Sequence, residues 1–169
     1  MMNKENHKHS KSERGQSLVE LGISLAILIF LLAGAVEFGM AFFQFVQLRD
    51  AAQEGALYGS MNPDDVSLIE TRIRGSSNSP IDLASGDVTI TISIDGIPST
   101  DGNYYTVACE GHGLKVLVAY SHQIFMPFIP AFIGRSYIPL NASVTDTILS
   151  PIKPTSPPAP PGSSCPPPS

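Results

Sequence analysis

Arg14-Gly15-Gln16-Ser17-Leu18-Val19-Glu20 opens directly into an uncharged apolar run at residues 21–36, and this junction decides how the rest of the chain is read. A glycine closes a basic leader, and a carboxylate follows at the mouth of a membrane-length segment. An acid in hydrocarbon costs ~2.5–3.5 kcal/mol even on the lenient insertion scale, so Glu20 needs a partner. After Glu37 the apolar run resumes through Phe43. About 20 apolar residues cross a bilayer as a helix, so residues 18–38 suffice. The flanks orient the segment. Lys4, Lys8, Lys11 and Arg14 crowd its N-terminal side, while beyond it Arg49 is offset by Asp50 and Glu54. Positive-inside reasoning therefore predicts a single pass with the N-terminus cytoplasmic and the bulk of the chain outside.

Cleavage after Gly15 would make Gln16 the new N-terminus and Glu20 its fifth residue. An α-amine and a carboxylate would then sit about one helical turn apart on one apolar rod. The block from Arg14 to about Tyr58 resembles the TadE-like family of pseudopilins of the tight-adherence (Tad, or Flp) type IV pilus systems. The matching pieces are RGQSLVE at its start, VEFG in mid-helix and LRDAAQEGALY at its end. The resemblance covers about the N-terminal quarter of the chain. It implies processing between Gly15 and Gln16 by a prepilin peptidase, and a non-enzymatic role in pilus biogenesis and adherence. It further implies a place in the bacterial cytoplasmic membrane. The partners it implies are other pilins, pseudopilins and membrane components of the Tad machinery. Glu20 would neutralise the α-amine of Gln16, its own or a neighbour's. Leu21 stands where the major pilins of these systems usually carry tyrosine, which points to a minor pseudopilin rather than the main filament subunit.

A basic start before a short apolar core also describes a secretory signal peptide, and Ala33-Gly34-Ala35 supplies a cleavage site of the right kind. The alternative is therefore a single-pass anchored, or signal-peptidase-released, extracellular binding domain that is not processed as a pilin. Against it, Glu20 lies at the edge of the apolar core. A cut after Ala35 would also leave the aromatic run around Phe38, Phe42, Phe43 and Phe45 near the start of a soluble protein.

Four segments are expected: a leader at 1–15, a transmembrane and stalk helix at 16–59, an extracytoplasmic head at 60–150, and a tail at 151–169. The helix should form a rod of roughly 60 Å at 1.5 Å per residue. Along the stalk Phe42, Phe45, Val46, Arg49, Ala52 and Ala56 recur at helical steps, with Gln44, Gln47, Asp50 and Glu54 on more polar faces. Asn62-Pro63 should end it. Asn62 as cap and Pro63 as first residue then predict a short helix with the apolar stripe Val66, Ile69 and Ile73. From Val88 the period changes to two. Val88, Ile90, Ile92 and Ile94 make a first strand, residues 104–110 a second, Leu114 to Tyr120 a third, and 138–149 a fourth. The fold class is α+β: a long N-terminal transmembrane helix continuing as a stalk, then a small antiparallel-sheet head of the pilin kind.

Residues 124–133 are very apolar, and Pro127 and Pro130 exclude a central strand. They read either as a loop closing one end of the core or as a contact surface for a neighbouring subunit or the outer leaflet. The Pro- and Ser-rich tail should be extended and disordered, a spacer before anything else.

The chain has 169 residues and a formal net charge of -5, a balance that argues against nucleic acid as a partner. Cys109 and Cys165 are too few for a disulfide framework or a structural zinc site. They can form one disulfide in an oxidising compartment or remain two thiols. Cys109 and His112 have ligand-like spacing, but no second pair completes a metal site. Gly111 and Gly113 make His112 read as a solvated loop residue. No nucleophile elbow, phosphate loop or zinc-protease motif occurs, and no catalytic residue, cofactor or metal is expected.

Overall fold

The computed structural model describes residues 10–126 and 129–149. The leader before Ser10, the Pro-rich tail and Cys165 lie outside the described residues. Helix α1 runs from Ser10–Met61 and stops at Asn62-Pro63, where proline supplies no N–H to continue the ladder. Helix α2 (Val66–Gly75) follows, then β1 (Val88–Ile94), β2 (Ile97–Pro98), a 3-10 turn (Tyr104–Thr106), β3 (Gly113–Gln123), the five-residue α3 (Ile129–Ile133) and β4 (Tyr137–Thr147). The strands form one antiparallel sheet of order β2-β1-β3-β4. The α+β class is thus a long apolar helix followed by a small four-stranded sheet.

The chain divides into two compact units, one ending at Gly39 and the other starting at Met40. In the second unit, the later part of α1 and α2 pack on one face of the sheet. Leu48, Ala52 and Ala56 of α1, Ile69 and Ile73 of α2, and Val116 and Val118 of β3 share its core. The strand alternation explains the face. Leu114, Val116, Val118 and His122 are buried while Lys115, Ser121 and Gln123 are exposed, as a period of two requires.

Close approach fixes how α1 lies. A Cβ on Gly55 would sit 2.4 Å from Ile73 Cγ1, and one on Gly59 would sit 2.9 Å from Leu114 Cδ2. These glycines, which weaken a helix by propensity alone, let α2 and β3 reach its backbone. The buried face of α1 is Ala41, Gln47, Leu48, Ala51, Ala52, Ala56 and Ser60, with Phe42 and Phe45 exposed. The helical steps through Phe42 and Phe45 therefore do not mark the core face, and Gln47, expected on a more polar face, lies on it. Small residues win the core face because the sheet sits too near for aromatic rings.

Gln47 is satisfied there by two hydrogen bonds to one residue. Its Nε2 donates to Ile81 O at 2.7 Å, and Ile81 N donates to its Oε1 at 2.9 Å. This ties the connection between α2 and β1 to α1.

Two other expectations need correction. Residues 104–110 do not form a strand. Asp101 Oδ1 takes the Asn103 N–H at 2.8 Å and Thr106 Oγ1 donates to Asn103 O at 2.6 Å, local bonds that compete with a ladder. The small strand beside β1 is Ile97–Pro98 instead. Helix α2 is capped by Asp65, whose side chain accepts from Leu68 N at 3.1 Å, rather than by Asn62. The Asp65 N–H bonds Asn62 O at 3.3 Å, so residues 62–65 make a turn first.

Candidate anchoring and processing segment

Gly15, Gln16 and Glu20 all lie on α1 and all are exposed. Four residues separate Gln16 from Glu20, a little over one turn, so they project from nearly the same helix face. A Cβ added at Gly15 would meet nothing within 4 Å. Packing therefore gives no reason for glycine there, and a helix interior disfavours it by roughly 0.5–1 kcal/mol relative to alanine. Gly22, Gly34 and Gly39 are equally unconfined, unlike Gly55 and Gly59.

Every residue from 15 to 32 is exposed, including Leu18, Val19, Ile27 and Leu28, which point in different directions around the helix. A helix apolar on all sides and left exposed by the described residues is suited to hydrocarbon rather than water. By length and composition it can cross a bilayer. Glu37, in contrast, is buried and has a partner. In the sequence it is visible as the lone acid between two apolar runs, within VEFG, but its burial is not.

The histidines of the head are structural. His112 is 1 % exposed, with Nδ1 2.6 Å from Asp95 Oδ2, so the expectation of a solvated loop residue is overturned. The cause is the turn between β1 and β2. Asp95 takes a positive φ of 49° there, and its carboxylate faces the start of β3, where Oδ1 also accepts the Gly113 N–H at 3.0 Å. His122 is buried on the core face of β3 and donates from Nδ1 to Gln44 Oε1 at 2.6 Å. The alternation Leu114, Val116, Val118, Tyr120, His122 carried that signal. Cys109 is also buried, and its proposed partner Cys165 lies outside the described residues. Among the described residues no group of three or more His, Cys, Asp or Glu side chains is placed to hold a metal.

Tyr104 is fully buried and its hydroxyl donates to Pro63 O at 3.0 Å. Burial pushes its ionisation well above the ordinary tyrosine range, and the neighbouring Tyr105 and Asp64 add to the shift.

The fold and the apolar segment define a class: a membrane-anchored protein with one long N-terminal helix and a small α+β head. Residues 15–57 match the family model of the TadE-like protein, and the match begins at Gly15 itself. The similarity to this family is confined to that segment of the chain. No curated protein and no solved structure matches the chain.

Proposed function

We propose that this protein is a TadE-like pseudopilin, a structural and assembly component of a Tad pilus made as a precursor and cut between Gly15 and Gln16. The observation that carries the reading is the coincidence of three boundaries. The family match starts at Gly15, the glycine has no packing role, and the fully exposed apolar helix begins within three residues of it. A prepilin peptidase would read the leader and glycine. The new α-amine of Gln16 and the carboxylate of Glu20 would then neutralise each other, within one chain or between neighbours, so that neither enters hydrocarbon unpaired. The apolar helices would bundle with those of other pilins and pseudopilins in the cytoplasmic membrane, with the head outside. The protein works by assembly rather than catalysis.

The deciding experiment is the intact mass and N-terminal peptide of the protein from its native membrane fraction. A start at Gln16 is expected. A start at Val36, or retention of residues 1–15, would overturn the reading in favour of a secreted or simply anchored binding domain. Mass spectrometry suits the question because an N-terminal glutamine can cyclise and block chemical sequencing.

A further inference from the structure

We infer that the later part of α1 joins copies of this protein to one another. The outer row of one copy's helix lies in a trough that a neighbouring copy forms between α1 and β4. The inference deepens the assembly reading by naming a second copy as the partner, and it rests on α1 being the anchor that gathers the copies.

Contacts within the head leave one flank of the helix uncovered. Gln47 bonds Ile81, and Arg72 stacks over Tyr58, so α2 and the connection into β1 occupy one side of α1. Strand β3 runs beneath it, with Val116 near Gly55, Leu114 near Gly59 and His122 bonded to Gln44. Strands β1 and β4 lie on either side of β3, so β4 is under the opposite flank. Phe42, Phe45, Arg49 and Gln53, at steps of three and four, make the row on that flank, and all four are exposed.

The sheet on that side is only half covered. Ile138, Leu140 and Val144 of β4 stand opposite His122, Tyr120 and Val116, and so face the helix side of the sheet. Val116 and His122 are buried, whereas the three β4 residues are half-buried. Leu149, just past β4, donates from its backbone to Ser60 O at 2.9 Å and leaves its side chain exposed. From Phe42 to Ser60 the trough is ~27 Å long at 1.5 Å per residue. It is apolar at both ends, with Phe42, Phe45 and Ile138 at one and Val144 and Leu149 at the other. Arg49 stands in the middle, and the half-buried Asp146 lies at the rim of the second end.

Charge chooses the occupant. Among the described residues Arg49, Asp50 and Glu54 form no ion pair. On the outer side of α1, Phe43, Asp50, Glu54, Leu57 and Met61 make a second exposed row, acidic in the middle and apolar at both ends. This is the pattern of the trough with its central charge reversed. Residues 150–169 are long enough to lie there as well, but they contain no Asp or Glu to meet Arg49. A neighbouring copy supplies two acids.

The two rows lie on different sides of one helix, so each copy can offer both at once. Contact of this heterologous kind need not stop at two copies. A trough one helix wide, ~10–12 Å, gives on the order of 300 Å² a side, below the roughly 800 Å² per partner of a stable interface. The contact therefore needs copies already held together, as anchoring in one membrane holds them.

Full-length protein carrying p-benzoylphenylalanine in place of Leu57 would be reconstituted into phosphatidylethanolamine–phosphatidylglycerol vesicles, with half the chains labelled with nitrogen-15. After irradiation, crosslinks between labelled and unlabelled chains should join Leu57 to β4 or to the row from Phe42 to Gln53. The same probe in place of Ser121, exposed on the far face of the sheet, should give few. Arg49→Glu and Glu54→Arg should each lower the mixed-isotope product about fivefold, and an equal mixture of the two variants should restore it. Both positions are exposed, so neither change should disturb folding. Crosslinks to residues 151–169, products within single chains only, or equal yield from Ser121 would overturn the inference while leaving the anchor intact. So would a mixture of variants that does not recover. Release of the chain from a parallel sample by alkaline carbonate would overturn the anchoring reading itself, and the inference with it.

Discussion

His112 and Asp95 meet at 2.6 Å between the end of β1 and the start of β3, and the same carboxylate takes the backbone N–H of Gly113. One side chain thus holds a buried imidazole and the first residue of β3 in register. Removing it as Asp95→Ala should cost about 1.5–3 kcal/mol, the range for a hydrogen bond to a charged group. Asp95→Asn should cost less, because asparagine keeps an acceptor and tolerates the positive φ. Denaturant unfolding of the detergent-solubilised chain, followed by amide exchange in β1 and β3, would measure both. Equal losses would show that the carboxylate is not the cause.

Glycines on one helix should respond oppositely to alanine. Gly55→Ala drives a methyl into Ile73 and should destabilise the head by about 1–3 kcal/mol, as overpacking does. Gly22→Ala meets nothing and should be neutral or slightly stabilising. Thermal unfolding of the two variants side by side is sufficient to test this.

Alkaline pH should act through Tyr104. Its folded ionisation is raised above the unfolded value of about 10, so folding favours the neutral phenol. The associated stability is complete below about pH 10 and is lost as pH climbs from there toward the folded value. Tyr104→Phe should start less stable, through the lost bond to Pro63 O, and decline less steeply above pH 10. A parallel decline in both proteins would assign the effect to other groups.

Processing and assembly should separate. Gly15→Ala should leave the leader attached, with the helix otherwise unchanged. Glu20→Ala should be cut normally yet fail to join its partners, seen as loss from crosslinked complexes in the membrane. Normal assembly of Glu20→Ala would remove the pairing role proposed for it.

Pairing of Cys109 with Cys165 is proposed for the oxidising side of the membrane, where it would tie the tail to the head. Alkylation before and after reduction, read by intact mass, distinguishes the disulfide from two thiols. Labelling of both cysteines without reduction would exclude the bond.

Much of this architecture is legible along the chain because its signals are local. Alternation over Val88–Ile94 and from Leu114 onward reports strands, and Asn62-Pro63 reports the end of α1. What escaped was set by packing between distant segments. Gly55 and Gly59 look like helix weaknesses until Ile73 and Leu114 come close. Gln47 looks like a surface residue until Ile81 offers both backbone groups. His112 sits between two glycines, and only the turn at Asp95 supplies a reason for its burial. Phe42 and Phe45 misled because apolar periodicity marks a helix face without saying whether sheet, lipid or another chain covers it. Around Gly15 and Glu20, sequence and structure agree on one exposed helix.

Seventy-eight residues separate Gln44 from His122, so the face of α1 that receives the sheet is synthesised well before the strand that covers it. At about 5–20 residues per second the interval is roughly 4–16 s. Through that wait the uncovered face presents mainly alanine, glycine, serine and glutamine, with Leu48 its one fully buried large apolar side chain and Tyr58 at its margin. A face so small and polar offers a wandering hydrophobic segment little to hold. The composition that lets α1 lie close to its sheet also protects the growing chain from premature capture.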